Sequence, residues 1–239
     1  MTVPVLRVTG VQKRFGGVLA VDDVSLDLAE GELHALIGPN GAGKTTLIHL
    51  LSGALSPSAG TIELDGRDVT ALTMHRRVRL GLARSYQITS IFPNFTVLEN
   101  VRLAVQGAGG REDHERARAE LDAVGLAARA DELAGTLAHG ERRQLELGLA
   151  LATGARILLL DEPMAGMAPE EAARILGLID ALKGRRTILL VEHDMDAVFR
   201  LADRISTLVY GRIIASGEPD EIRGHSEVRR AYLGEEGAA

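Results

Sequence analysis

Residues 38–46, Gly-Pro-Asn-Gly-Ala-Gly-Lys-Thr-Thr, form the pattern in this sequence that is richest in chemistry. They fit G-x-x-x-x-G-K-[ST], the phosphate-binding P-loop, placed between a predicted strand at 32–37 and a predicted helix at 44–52. Glycines let the backbone N–H groups turn inward, and the helix directs its positive dipole end at the same point. Lys44 can then reach the β- and γ-phosphates, while the Thr45 hydroxyl can bind Mg²⁺. A glycine-rich turn that merely caps a helix would give the same pattern without a ligand. The predicted nucleoside triphosphate site consists of Gly38, Pro39, Asn40, Gly41, Ala42, Gly43, Lys44, Thr45 and Thr46.

A pair of carboxylates supplies the second chemical signal. The aliphatic run 157–160 predicts a strand buried on both faces, and Asp161 and Glu162 follow at its carboxyl end. Burying such charges costs on the order of several kcal/mol unless they are paired or bind a metal. Beside a P-loop, Asp161 is the expected Mg²⁺ partner and Glu162 the expected general base for an attacking water. A structural salt bridge would also account for the pair.

Other candidate positions carry weaker local signals. Gln87 follows a predicted strand at 82–86, and His193 follows the apolar strand 187–191. Side chains at the carboxyl ends of parallel strands lie near the ligand crevice of an α/β sheet, so His193 can bond the γ-phosphate or the attacking water. Residues 3–30 are predicted to form short strands broken by turns. Phe15 stands beside two glycines on a loop between these strands, where it either stacks on a purine or joins the core. Residues 137–141, Leu-Ala-His-Gly-Glu, open a helix whose N-terminus favours an anion.

The elements that must position these residues alternate between strands and helices, which predicts an α/β fold. The sequence pattern changes at residue 88, and residues 88–153 are predicted to form a helical lobe inserted into the α/β domain. Thr96 and Glu99 form a capping-box pattern that opens one of its helices. Phe92 and Phe95 lie in the apolar loop before that helix. They belong either to the lobe's core or to an exposed docking patch, which we favour because Pro93 and Asn94 separate them.

Composition excludes several classes of function. The 239 residues carry a net charge of -6 and no tryptophan, so a nucleic-acid partner is not expected. Cysteine is absent, which excludes disulfides, thiolate metal sites and cysteine nucleophiles. No apolar run approaches the ~18 residues of a membrane span, and the N-terminus lacks the apolar region of a signal peptide. We therefore expect a soluble, intracellular protein.

Taken in order, these motifs resemble the ATP-binding cassette (ABC) ATPases over essentially the whole chain. The resemblance implies one ABC ATPase domain, 1–239, with a RecA-like P-loop NTPase core and an antiparallel β subdomain in 1–87 and 154–239. The inserted helical subdomain would span 88–153. In that family two ATPase subunits face head to tail and enclose two ATP molecules, so a second ABC ATPase subunit, identical or different, is an implied partner.

The resemblance also assigns roles at matching positions. Phe15 takes the place that stacks on adenine, and Lys44 and Thr45 hold the phosphates and Mg²⁺. Gln87 and Asp161 support Mg²⁺, with Gln87 also linking to a membrane partner. Glu162 is implied as catalytic base and His193 as switch histidine. The signature loop, which would contact the other subunit's ATP in trans, comprises Ala138, His139, Gly140 and Glu141.

Several short segments resemble those of the ATPases of branched-chain amino acid importers. These segments are 84–87, 95–100, 161–166, 191–195 and 231–234. The resemblance implies transmembrane permease subunits, a periplasmic solute-binding protein as an indirect partner, and a peripheral location at the cytoplasmic face of the membrane. The ATPases of urea or amide importers and the lipopolysaccharide-export ATPase resemble this chain over much of the same segments. The sequence also leaves open a non-transport ABC ATPase and a P-loop small-molecule kinase.

Three positions depart from the family pattern. The signature loop reads Ala138-His139-Gly140-Glu141 where Ser-Gly-Gly-Gln is usual, so the serine's contact is absent. Ala168 stands where an aspartate is common, which affects communication between the two ATP sites. Phe15 replaces a common tyrosine with little consequence for stacking.

Overall fold

The computed structural model describes residues 4–85, 91–109 and 114–233. Its strands are β1 Leu6–Phe15, β2 Val18–Leu28, β3 Leu33–Ile37, β4 Ala59–Leu64, β5 Arg67–Asp68, β6 Leu82–Arg84, β7 Ile157–Asp161, β8 Thr187–Val191, β9 Arg204–Val209 and β10 Arg212–Gly217. Its α-helices are α1 Lys44–Ser52, α2 Met74–Arg79, α3 Val97–Gly107, α4 His114–Ala123, α5 His139–Ala152, α6 Pro169–Leu182, α7 Met195–Leu201, α8 Pro219–Gly224 and α9 Ser226–Leu233. Short 3₁₀ turns at Ala127–Arg129 and Ala134–Thr136 precede α5. None of the helices in these described ranges is long and apolar enough to cross a membrane.

The strands form two sheets. The larger has the order β10-β9-β3-β8-β7-β6, in which the five strands from β9 to β6 run parallel and β10 pairs antiparallel with β9. The smaller, antiparallel sheet has the order β2-β1-β4-β5. Because parallel strands end at one edge, the segments after β3, β7 and β8 emerge side by side. The predicted P-loop, carboxylate pair and histidine occupy these segments.

Two apolar clusters cover opposite faces of the parallel sheet, as the alternation of side chains along a strand requires. One contains Leu158 and Leu160 of β7 together with residues of the helices α3–α6, and the other contains Ile157 and Leu159 with residues of α1 and the antiparallel sheet. The inserted helices thus share a continuous core with the sheet. The predicted α/β class with an antiparallel β layer and inserted helices is confirmed, while the boundaries at 88 and 153 stay a prediction.

Two local predictions met different outcomes. The capping box of α3 is present: Glu99 N–H donates to Thr96 Oγ1 at 3.1 Å, and Thr96 N–H donates to the Glu99 carboxylate at 2.7 Å. The short strands expected near the N-terminus are instead two long ones of 10 and 11 residues. Register shifts between Val8 and Arg14 absorb the turn signals as bulges within β1, so Phe15 ends a strand instead of standing on a loop.

A buried ionic network fastens the base of β3. Glu32 accepts hydrogen bonds from the Ala29 N–H at 2.7 Å and the Arg204 guanidinium at 2.8 Å, and it lies 3.1 Å from His34 Nδ1. Burial disfavours the charged carboxylate, but the His34 and Ala29 bonds and the Arg204 charge outweigh it and lower the pKa of Glu32 to about 2. This network steadies the strand that carries the P-loop.

We expect Glu32→Gln to destabilise the protein at neutral pH but not in acid. A pKa lowered from 4.5 to about 2 gives stability that is present above pH 4.5 and lost as the pH falls through about 2. At about 1.4 kcal/mol per pKa unit, the free energy of unfolding at pH 7 should fall by at most about 3 kcal/mol. Urea unfolding at pH 7 and pH 2.5 measures this, with the exposed neighbour Glu30→Gln as control. Equal losses at both pH values would contradict the prediction.

Candidate functional site

The P-loop lies between β3 and α1, and its backbone packs too closely for side chains at two glycines. A Cβ at Gly38 would overlap the carbonyl oxygen of Leu208, and one at Gly43, whose φ is 106°, would overlap that of Ala20. The turn therefore needs glycine at both positions. Helix α1 begins directly after Gly43, so its first N–H groups face the loop's concavity.

Lys44 is folded back onto this loop. Its Nζ donates to the carbonyl oxygens of Gly38 at 2.6 Å and Pro39 at 3.0 Å, and the residue is 7% exposed. Burial lowers the pKa of the Lys44 ammonium, and the charges of Glu162 and Asp161 oppose that shift. The lysine predicted to bind phosphates thus shares an electrostatic site with both predicted carboxylates.

Asp161 ends β7 and is 1% exposed. Its Oδ2 accepts a hydrogen bond from Arg84 at 3.2 Å, so the salt bridge considered from sequence exists on one oxygen. The Oδ1 atom is buried without a hydrogen-bond partner among the described residues. Burial raises the pKa of Asp161 against the opposing charge of Arg84. A buried carboxylate oxygen without a partner, at the sheet edge that also carries the P-loop, is the kind of ligand that Mg²⁺ prefers, so Asp161 fits that ion.

Glu162 and His193 follow adjacent strands, because β7 and β8 pair with Asp161 opposite Val191. Glu162 is half-buried and has a φ of 49°, a left-handed conformation uncommon for non-glycine residues. Its N–H donates to the Val191 carbonyl at 2.9 Å. The His193 side chain is 61% exposed, which leaves its ring accessible to a ligand at the sheet edge.

Phe15, Ala138 and His139 are exposed, while Gly140 of the signature loop is buried. Phe15 ends β1 with the Lys13 ammonium 5.3 Å from its ring centroid. The signature loop starts α5, whose N-cap Ala138 offers no side-chain hydrogen bond. The Gly140 N–H donates to Glu171 Oε1 at 3.1 Å, and the Ala138 N–H to Glu141 Oε2 at 3.0 Å. No hydrogen bond or ion pair between described residues joins this loop to the P-loop. The remaining candidate, Gln87, lies outside the described residues.

Three site features were not assigned from the sequence. Arg84 pairs with Asp161, Glu171 binds the signature loop, and Glu192 is a buried carboxylate beside His193. Glu192 carried a usable signal, since a charged residue immediately after a fully buried strand needs a partner. The pairings of Arg84 and Glu171 join distant segments and leave no local pattern.

Comparisons with known proteins agree with this geometry. A family model described as ABC transporter matches residues 21–165, and one described as Branched-chain amino acid ATP-binding cassette transporter matches residues 212–238. The chain is 40% identical over 254 aligned residues to the high-affinity branched-chain amino acid transport ATP-binding protein LivG of Salmonella typhimurium, covering 98% of this chain and 100% of that protein. It is 39% identical, with the same coverage, to the corresponding BraF protein of Pseudomonas aeruginosa.

Solved structures give the same result. A nucleotide-free ATP-binding cassette from an ABC transporter matches with a TM-score of 0.88 and 29% identity, over 98% of this chain and 100% of that one. The ADP conformation of an ABC transporter cassette matches with a TM-score of 0.88, 30% identity and the same coverage. With a P-loop, two carboxylates and His193 on one sheet edge, and relatives matching end to end, the chain belongs to the ATP-binding subunits of the ABC transporter family.

Proposed function

We propose that this chain hydrolyses ATP in a Mg²⁺-dependent reaction and thereby powers an importer of branched-chain amino acids through separate membrane permeases. The observation that carries the ATPase proposal is that the P-loop with its buried Lys44, and Asp161 with Glu162, lie at the carboxyl ends of β3 and β7, which both pair in parallel with β8. The solute class is supported by the names of relatives that match over their full length, and by the family match at residues 212–238. The proposed location is peripheral, at the cytoplasmic face of the membrane, with a periplasmic solute-binding protein as indirect partner.

The P-loop and the end of β7 divide the binding roles. Lys44 exchanges its bonds to the Gly38 and Pro39 carbonyls for phosphate oxygens, which need a charged donor more than carbonyls do. Thr45, Asp161 and Gln87 would hold Mg²⁺, which supplies charge neutralisation on the β- and γ-phosphate oxygens. The free Oδ1 of Asp161 supports this assignment. Phe15 provides an exposed ring for the adenine.

Glu162 and His193 act on the attacking water. Glu162 accepts its proton as general base, and His193 bonds the γ-phosphate or the water from the adjacent strand. The signature residues Ala138, His139, Gly140 and Glu141 would complete the site from a second subunit. Among the described residues no hydrogen bond or ion pair joins that loop to the P-loop of its own chain, which supports this head-to-tail arrangement.

The permease contact is proposed at Phe92 and Phe95. The two rings stack with centroids 5.4 Å apart, and the residues are 56% and 42% exposed. Buried Asn100 holds their loop: its Oδ1 accepts from the Phe92 N–H at 2.7 Å, and its Nδ2 donates to the Phe92 carbonyl at 3.0 Å. An exposed aromatic pair on an anchored loop suits docking better than core packing.

We expect Phe95→Asp to uncouple the transporter without unfolding the subunit. A charge on this patch would oppose burial against the permease, while the exposed position costs the isolated chain little. The measurement is solute-stimulated ATPase of the reconstituted complex beside ATP binding and thermal unfolding of the free subunit. Phe95→Leu, which keeps an apolar surface, should retain most coupling. Loss of folding in free Phe95→Asp would place Phe95 in the core instead.

The transport proposal is tested on the intact complex. The subunit co-purified with its permeases and reconstituted in vesicles should drive ATP-dependent uptake of labelled leucine, isoleucine or valine. Uptake of urea or amides alone would assign a urea or amide importer, and extraction of lipopolysaccharide would assign an exporter. ATP turnover only with an added acceptor molecule would indicate a kinase, and activity with no membrane partner would indicate a non-transport ATPase.

A further inference from the structure

Glu192 is a buried carboxylate that binds two functional loops at once. It directly follows β8 and is 1% exposed. Its Oε1 accepts the Met164 N–H at 3.1 Å, and its Oε2 accepts the neighbouring His193 N–H at 3.2 Å. One side chain therefore joins the segment after Glu162 to the segment that presents His193.

The contact at Met164 bears on the conformation of Glu162. Glu162 has a left-handed backbone, which is strained for a residue with a side chain and persists only where neighbouring contacts enforce it. On one side its N–H is fixed to the Val191 carbonyl at 2.9 Å. On the other side, the N–H of Met164, two residues after Glu162, donates a hydrogen bond to Glu192. The strained residue is thus clamped on both sides by successive residues of the β8 end.

Burying the charge of the Glu192 carboxylate costs free energy of desolvation. Among the described residues no lysine or arginine forms an ion pair with it, and His193 Nδ1 lies 3.9 Å from its Oε2. Burial raises the pKa of Glu192, and the nearby Glu162 charge raises it further. A buried carboxylate without a cationic partner has a desolvation cost that its hydrogen bonds must offset. Both of its strong bonds go to backbone that carries the proposed catalytic side chains.

We propose that Glu192 is a positioning residue for hydrolysis, which sets the Glu162 and His193 backbones relative to each other through its two carboxylate oxygens. The inference rests on the proposed roles of Glu162 and His193. Glu192 does not touch ATP. Its effect should therefore fall on the chemical step and leave nucleotide binding at the P-loop unchanged.

The test is Glu192→Gln in the full chain. Glutamine has nearly the same size but only one acceptor oxygen, so one of the two N–H groups must face an NH₂ donor. Displacing a catalytic group by about 1 Å can cost on the order of 100-fold in rate. We expect kcat for ATP to fall about 10- to 100-fold, with KM for ATP and ADP affinity changing less than about 3-fold. The split between kcat and KM separates positioning from a general loss of structure.

Glu30→Gln is the control, because it removes an exposed carboxylate just before β3, at the opposite end of the sheet, and should leave kcat within about 2-fold. Glu192→Asp is a second variant that keeps the charge but is too short to reach both N–H groups, and it should also lower kcat. An unchanged kcat in either Glu192 variant, a rise in KM alone, or unfolding of both would overturn the proposal. Absence of ATP hydrolysis in the parent chain with its membrane partners would instead refute the proposed function.

Discussion

Replacing Glu162 by glutamine is expected to abolish nearly all ATP hydrolysis while leaving ATP binding intact. Glutamine preserves the side chain's shape but cannot accept a proton from water at neutral pH. General-base catalysis contributes about 10²- to 10⁴-fold, and the rate should fall by that factor. Binding should persist because Lys44 and the loop before α1 contact the phosphates independently. Where membrane partners hold two copies together, the variant should therefore accumulate as an ATP-bound dimer.

The measurement combines single-turnover hydrolysis with equilibrium binding of ATP. Glu170→Gln is the matched control: it removes an exposed carboxylate from the first turn of α6, eight residues farther along the same loop and helix, and should hydrolyse at the parent rate. Hydrolysis by Glu162→Gln at more than half the parent rate would remove Glu162 from the catalytic role. A loss of ATP affinity equal to the loss of rate would mean that the residue serves binding.

Local chemistry explains what could be predicted from the sequence. The helix predicted at 44–52 has those bounds in the structure, since the P-loop glycines start it and Gly53 caps its end. The strand before Asp161 is equally clear, because an aliphatic run followed by two carboxylates has few other solutions in an α/β protein. In both cases the determining residues are neighbours in the chain.

The parts of the site that could not be predicted depend on contacts between residues far apart in the sequence. Arg84 pairs with Asp161 over 77 residues, Met164 with Glu192 over 28, and Gly140 with Glu171 over 31. Each depends on which strands become neighbours and on how far a flexible side chain reaches, and periodicity encodes neither. The prediction of short strands in place of the β1–β2 hairpin was wrong for a related reason: bulges let a strand continue through residues that locally indicate turns.

Ala138 is the departure from the family pattern with the largest expected consequence. It is the N-cap of α5, where a serine would offer both a helix cap and a donor to the γ-phosphate of the opposite subunit. In the free chain, the Gly140 N–H is already taken by the Glu171 carboxylate. Closing the sandwich therefore has to exchange that bond for a phosphate contact without help from residue 138. We expect a weak ATP-dependent dimer and slow turnover until membrane partners hold two copies together.

Ala138→Ser, in a Glu162→Gln background, should strengthen that dimer. One charge-assisted hydrogen bond is worth about 1.5–3 kcal/mol, and the sandwich contains the site twice. The dimer dissociation constant should consequently fall by about 10²- to 10⁴-fold, measured by analytical ultracentrifugation with ATP and Mg²⁺. ADP is the matched control, because the new hydroxyl has no γ-phosphate to bind and no shift is expected. Thermal unfolding of the monomer measures the separate gain from helix capping, about 1 kcal/mol. A dimerisation constant that is unchanged with ATP, or improved equally with ADP, would mean that residue 138 does not face the γ-phosphate.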